Sequence, residues 1–122
     1  MSDYKNQTFP RRLRFALAGL AAAWRSESSF RLQLFALAVV LLVLLALRVE
    51  LLWWALVIVT SAAVIGAELF NTALEHLADH LHPEVHPQIR IVKDCAAAAV
   101  LVTSAGAVGV AIALVFHLVQ RL

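Results

Sequence analysis

Three long runs without a charged residue constrain this chain more than anything else in it. Residues 32–47, 51–67 and 95–120 contain no Asp, Glu, Lys or Arg. An α-helix rises 1.5 Å per residue and needs about 20 apolar residues to cross a hydrocarbon core of about 30 Å. The twenty-six positions of the third run are ample, whereas the sixteen of the first require extension at one or both ends. With 62% hydrophobic residues and a mean hydropathy of +0.85, the chain is too apolar for an ordinary soluble domain. The sequence predicts an all-α integral membrane protein built as one domain.

Punctuation between the runs sets the expected elements. Residues 1–10 are polar and expected to be a flexible N-terminus. From about 11 to 26, Leu13, Leu17, Leu20 and Trp24 recur at helical spacing. This amphipathic segment reads as a helix lying on the membrane surface, apolar face in lipid and Arg side chains toward phosphates. A helix packed on the rest of the protein is the alternative. The first span is expected at about 28–47, followed by the polar stop Arg48-Val49-Glu50 and by Trp53 and Trp54, which suit an interfacial belt. The second, at about 50–80, continues past Ala67 because Leu69, Leu74, Leu77 and Leu81 keep the helical period. The stretch from His82 to Pro87 holds two prolines and cannot be regular helix throughout. The third span is expected at about 90–118, with small residues at Ala96–Ala99, Ser104, Gly106 and Gly109 favouring close helix packing.

Charge placement gives orientation. Lys5, Arg11, Arg12, Arg14, Arg25 and Arg31 precede the first span, and Arg90 and Lys93 precede the third; the other side holds only Arg48 and Arg121. The positive-inside rule puts the N-terminus and the 80–94 region in the cytoplasm. The basic N-terminal segment is matched by no base-reading motif, so anionic lipid headgroups explain it better than nucleic acid. Cys95 is the only cysteine, which excludes an internal disulfide and a Cys-rich zinc site. The first thirty residues lack a short apolar core followed by small residues, so no cleavable signal peptide is expected.

The candidate site lies where the second run ends. Glu68 is the first charge after Leu51–Ala67, and Asn71, Glu75 and Asp79 follow it. At 100° per residue these four fall within about 60° to either side of one helix face. A carboxylate at membrane depth costs roughly 2.5–3.5 kcal/mol on insertion scales, so the stripe must face a polar cavity, a metal ion or a partner helix. Gly-x4-Gly-Lys-Ser/Thr, Gly-x-Gly-x-x-Gly and protein-kinase signatures are absent. Glu27, Glu84, His86, Lys93 and Asp94 complete a charged cluster at the same membrane face. Phosphoryl transfer needs a divalent cation on the phosphates, a positive group on developing charge and a base for the attacking hydroxyl. Glu27 and Glu75 could hold Mg²⁺, Lys93 could neutralise a phosphate, and Glu68 is placed to take a proton from a lipid alcohol. The alternatives are cross-helix hydrogen bonding for Glu68 and Asn71, and plain solvation for Glu75 and Asp79. His76 and His80, spaced i, i+4, with His82 and His86 after them, make a transition metal conceivable.

The run Glu68-Leu69-Phe70-Asn71-Thr72-Ala73-Leu74-Glu75-His76-Leu77-Ala78-Asp79, followed fourteen residues later by Lys93-Asp94 and small residues, closely resembles the prokaryotic diacylglycerol kinase family. The segment from Ala22 to Arg31 looks like that family's stretch around its N-terminal acidic residue, and the likeness covers roughly residues 11–118. The resemblance implies a small membrane lipid kinase with a surface helix and three spanning helices. It further implies a homotrimer with composite sites between subunits, using Mg²⁺ and ATP. Glu68 then matches the catalytic base, and Glu27 and Glu75 the metal-binding carboxylates. Asn71, Lys93 and Asp94 match positions lining the ATP and phosphate site, and Glu84 and His86 a loop touching the nucleotide. Diacylglycerol is the leading expected substrate, giving phosphatidic acid, and undecaprenol the runner-up. Cys95-Ala96-Ala97-Ala98-Ala99 stands where proteobacterial diacylglycerol kinases usually have Met-Gly-Ser-Ala-Ala. Thr72, His76 and His86-Pro87 look more like the undecaprenol kinase branch, and Phe30-Arg31 more like the diacylglycerol branch. A membrane subunit without enzymatic activity is the reading from a different class.

Overall fold

The structure, a computed structural model, describes residues 6–122. The first half of the N-terminal segment expected to be flexible therefore lies outside the described residues. Four helices follow in order: α1 Phe9–Ser26, α2 Ser28–Leu47, α3 Leu51–Leu81 and α4 Pro87–Gln120. Among the described residues there is no strand. The last three helices are each long and apolar enough to cross a membrane, which makes this a multi-pass membrane protein.

One extended residue, Glu27 (φ −120°, ψ 111°), forms the corner between α1 and α2. Its N–H donates to Ala23 O at 2.9 Å and its carbonyl accepts from Arg31 N at 3.3 Å, so it closes one helix and opens the next. The Arg31 guanidinium locks the corner by donating to the carbonyls of Trp24 and Arg25, two of the acceptors that the end of α1 leaves free. Phe30 is buried beside it.

At the far end, α2 stops on Arg48 in the left-handed region (φ 50°, ψ 53°), and Val49 N reaches back to Leu44 O. The buried residues Leu44, Val49, Val57 and Leu114 tie α2, α3 and α4 together there. Trp53 and Trp54 pack against this cluster and are half-buried, and Trp53 lies 5.4 Å from the His117 ring. The pair therefore turns partly inward, toward the other helices, where the sequence pattern suggested an interfacial belt. Register explains it: Trp53 and Trp54 precede buried Val57 by four and three residues and share its side of α3.

Length positions the site. At 1.5 Å per residue the 31 residues of α3 span about 46 Å, some 16 Å more than the hydrocarbon core. The excess carries the motif from Asn71 to Asp79 beyond the apolar layer. The α3–α4 pair makes the most extensive helix–helix contact, so α4 is the natural partner for that polar end. Helix α4 begins at Pro87, because proline at the first helical turn gives up an N–H that has no intrahelical partner anyway. The His86 ring caps it by accepting from Gln88 N at 3.1 Å.

Candidate active site

Exposure rises down the polar stripe of α3. Glu68 is only 6% exposed. Asn71 and Glu75 are half-buried and Asp79 is exposed. The helix thus carries its polar face from apolar surroundings out to water over three turns.

Two contacts organise the stripe. At the buried end, Gln33 of α2 donates from Nε2 to Glu68 Oε1 at 2.7 Å. At the wet end, Lys93 Nζ of α4 donates to Asp79 Oδ1 at 2.6 Å. The Lys93 ammonium feels Asp79 most strongly and Glu75, one turn earlier, more weakly. The structure therefore brings Glu75, Asp79 and Lys93 into one electrostatic group. Asp79 is more than a motif residue here, since it holds the ammonium in place.

The other expected site residues are less engaged. Among the described residues, Glu27, Asn71, Glu84 and Asp94 make no side-chain hydrogen bond or ion pair. Asn71 Oδ1 is nonetheless buried, an acceptor turned away from water on the turn between Glu68 and Glu75. Glu84 gives only its backbone oxygen, to His82 Nδ1 at 3.1 Å. His86 uses Nδ1 for the helix cap and stacks edge-on with His82 at 5.1 Å. Among the described residues, no three His, Cys, Asp or Glu side chains gather into a metal cage. His76, His80, His82 and His86 are thus not part of such a group among the described residues.

Two hollows open between the helices. A cleft of about 770 Å³ opens between α1 and α3, lined by Gly19, Ala22, Arg25, Leu69, Thr72 and His76 among others. Small residues on α1 hold it open, and polar groups sit at its edge. An apolar groove of about 510 Å³ runs between α2, α3 and α4, with Val40, Val57, Val64 and Leu114 in its walls and Gln33 among its few polar groups.

Gln33 is the site residue that the sequence reading missed. Its signal was present: it is the one polar side chain in the run 32–47. Counting charges alone passes over a carboxamide, although a buried amide also demands a partner.

Comparison with known proteins places this arrangement. The family model described as prokaryotic diacylglycerol kinase matches residues 14–115. A diacylglycerol kinase of Pseudomonas aeruginosa is 38% identical over 103 residues, covering 80% of this chain and 83% of its own length. One of Synechocystis is 36% identical over 96 residues, or 78% of this chain. The chain spans only 55% of that relative's length. An undecaprenol kinase of Bacillus subtilis is 30% identical over 84 residues, covering 69% of this chain and 68% of its own.

Proposed function

The chain belongs to the prokaryotic diacylglycerol kinase family, and on that premise we propose that it is an ATP-dependent lipid kinase of the bacterial cytoplasmic membrane. It moves the γ-phosphate of ATP to the hydroxyl of diacylglycerol, giving phosphatidic acid. The observation that carries this reading is the state of Glu68: a carboxylate 6% exposed, in apolar surroundings, with no cation paired to it among the described residues. A buried carboxylate without a counter-charge is costly to keep, which marks it as a candidate for chemistry such as that of a base.

The reaction follows from the two ends of the stripe. Glu68 takes the proton of the lipid hydroxyl while that oxygen bonds to the γ-phosphorus; the bond from the γ-phosphorus to the bridging oxygen breaks and ADP leaves. Lys93, steered by Asp79, neutralises charge gathering on the phosphates. Asn71 and Asp94 line the triphosphate, and Glu84 and His86 lie on the nucleotide's side of the α3–α4 connection. The α1–α3 cleft, beside Thr72 and His76, has room for the base and sugar. Glu27 and Glu75 are hard oxygen donors that suit Mg²⁺. Mg²⁺ typically takes one or two carboxylates plus substrate phosphates, so it would arrive on the nucleotide and be held by these two. When bound, it shields the phosphate oxygens.

Within one chain no direct contact links Glu68 or Glu27 to the Glu75–Asp79–Lys93 group. The homotrimer that the family resemblance implies would complete such sites between protomers. The same reading puts α1 on the membrane surface, with Phe9, Leu13, Leu17 and Trp24 exposed toward lipid, and the N-terminus in the cytoplasm.

The undecaprenol kinase relative favours a second substrate reading, undecaprenol going to undecaprenyl phosphate. Purified protein in mixed micelles, given radiolabelled Mg-ATP and either lipid, separates the two. Label in phosphatidic acid at the higher kcat/KM supports diacylglycerol; label chiefly in undecaprenyl phosphate supports the alternative. Label in neither, from folded protein, overturns the kinase assignment.

A further inference from the structure

Resting on the lipid-kinase reading, we infer that Gln33 is a positioning residue that aims Glu68 at the lipid hydroxyl. Its carboxamide N–H occupies Oε1 and leaves Oε2 as the proton acceptor.

Glu68 Oε1 accepts from Gln33 Nε2 at 2.7 Å, a short, strong bond of the kind that a charged acceptor forms. Glu68 Oε2 accepts no hydrogen bond, yet it is not among the occluded polar atoms of the chain. One oxygen is held by Gln33, and the other has no partner among the described residues. A carboxylate held this way cannot rotate freely, and its free oxygen keeps a single direction.

The donor's chemistry fits the task. A lysine or arginine at this position would also orient Glu68, but its charge would hold the proton off a base that must accept it. A carboxamide donates without carrying charge. It steadies the anion and does not prevent its protonation.

The surroundings argue against a purely structural tie. Gln33 Oε1 is buried and accepts no hydrogen bond among the described residues, an unmet polar group that is destabilising. A leucine here would avoid that penalty inside the lipid layer. Moreover, Gln33 stands in the wall of the apolar groove between α2, α3 and α4, so the side chain that holds Glu68 borders a groove fit for hydrocarbon. A lipid alcohol with its chain along the groove would bring its hydroxyl to the Gln33–Glu68 pair.

In the reaction, the hydroxyl proton passes to Oε2, the hydroxyl oxygen forms its bond to the γ-phosphorus, and the bond to the bridging oxygen breaks to release ADP. Gln33 keeps its bond to Oε1 throughout and exchanges no proton. Misplacing a reacting group by about 1 Å can lower a rate by roughly 100-fold, so removing the carboxamide should lower kcat by about 10–100-fold. KM for ATP and for the lipid should stay within about twofold, since neither substrate loses a binding group.

The test is a kinetic comparison of wild type, Gln33→Leu and Gln33→His in the same micelles, each also in a Glu68→Gln background. The expected result is the kcat loss at constant KM for Gln33→Leu. Recovery of most of the loss is expected in Gln33→His, whose Nε2 donor has a similar reach. The double variant should be no slower than Glu68→Gln alone, because Gln33 acts only through Glu68. Three results overturn the inference: wild-type kcat in Gln33→Leu, a change confined to KM, or the same fractional loss in both backgrounds. Should Gln33→Leu fail to fold, Gln33→Met, unbranched and of matching length, carries the same comparison. A wild-type protein inactive on both lipids would instead overturn the underlying kinase reading, and this inference with it.

Discussion

Leu44 lets the solvent around the helices be read from a stability measurement. It is 0% exposed and packs with Val49, Val57 and Leu114 where α2, α3 and α4 converge. In a water-soluble protein, Leu→Ala at such a site costs about 2.7–5.0 kcal/mol. Roughly 2.4 kcal/mol of that is transfer of three methylene equivalents from water, at about 0.8 kcal/mol each. In a bilayer the separated helices already keep Leu44 in hydrocarbon, which is as apolar as the side chain itself, so the transfer contribution vanishes. What remains is lost packing, about 0.3–2.6 kcal/mol. Full burial favours the upper part of that range. Leu42, 66% exposed, should cost less than about 0.5 kcal/mol on the same change. Reversible unfolding in bicelles, driven by sodium dodecyl sulfate and followed by circular dichroism, measures both. A loss above about 4 kcal/mol for Leu44→Ala would mean that the position is compared with water and lies outside the lipid layer. Equal losses for Leu44→Ala and Leu42→Ala would contradict the packing itself.

Other expectations test the site and its supports. Lys93→Met should lower kcat/KM for ATP by about 100–1000-fold, the loss seen when one preorganised donor to a reacting centre is removed. Asp79→Asn, which keeps the ammonium and removes its exposed partner, should lower it by less than about tenfold. Steady-state kinetics at varied ATP decides between this order and its reverse. Arg48 holds a left-handed conformation that costs an L-residue roughly 1–2 kcal/mol, whereas glycine adopts it freely at an entropic cost of about 0.5–1 kcal/mol. Arg48→Gly should therefore raise the thermal midpoint in detergent slightly, and a clear drop would show that the guanidinium has a role beyond ending α2.

The large features of this fold are legible in the sequence because the bilayer leaves few choices. Long uncharged apolar runs such as 95–120 read as membrane-spanning helices, and α2, α3 and α4 are each long and apolar enough to be of that kind. The burial of Glu68 follows equally directly from its place at the end of 51–67. Less legible is anything set by helix rotation and tilt. The pairing of Gln33 with Glu68 needs α2 and α3 in one particular register, which hydropathy does not encode. The inward turn of Trp53 toward His117 has the same origin. So does the α1–α3 cleft, which depends on the corner at Glu27 and on the Arg31 contacts that hold it. The link from Lys93 to Asp79 lies between: both belong to one motif, but their separation of fourteen residues across a proline-bearing loop gives no distance until α4 is docked on α3.

The most direct test is a rapid-quench single-turnover assay of Glu68→Gln with Mg-ATP and the preferred lipid, beside wild type. Loss of a general base should slow phosphoryl transfer by about 100- to 10,000-fold, while nucleotide affinity stays unchanged and the helices remain folded. Transfer at a rate near wild type in the folded variant would remove Glu68 from the chemistry, and with it the account of why a carboxylate is buried there.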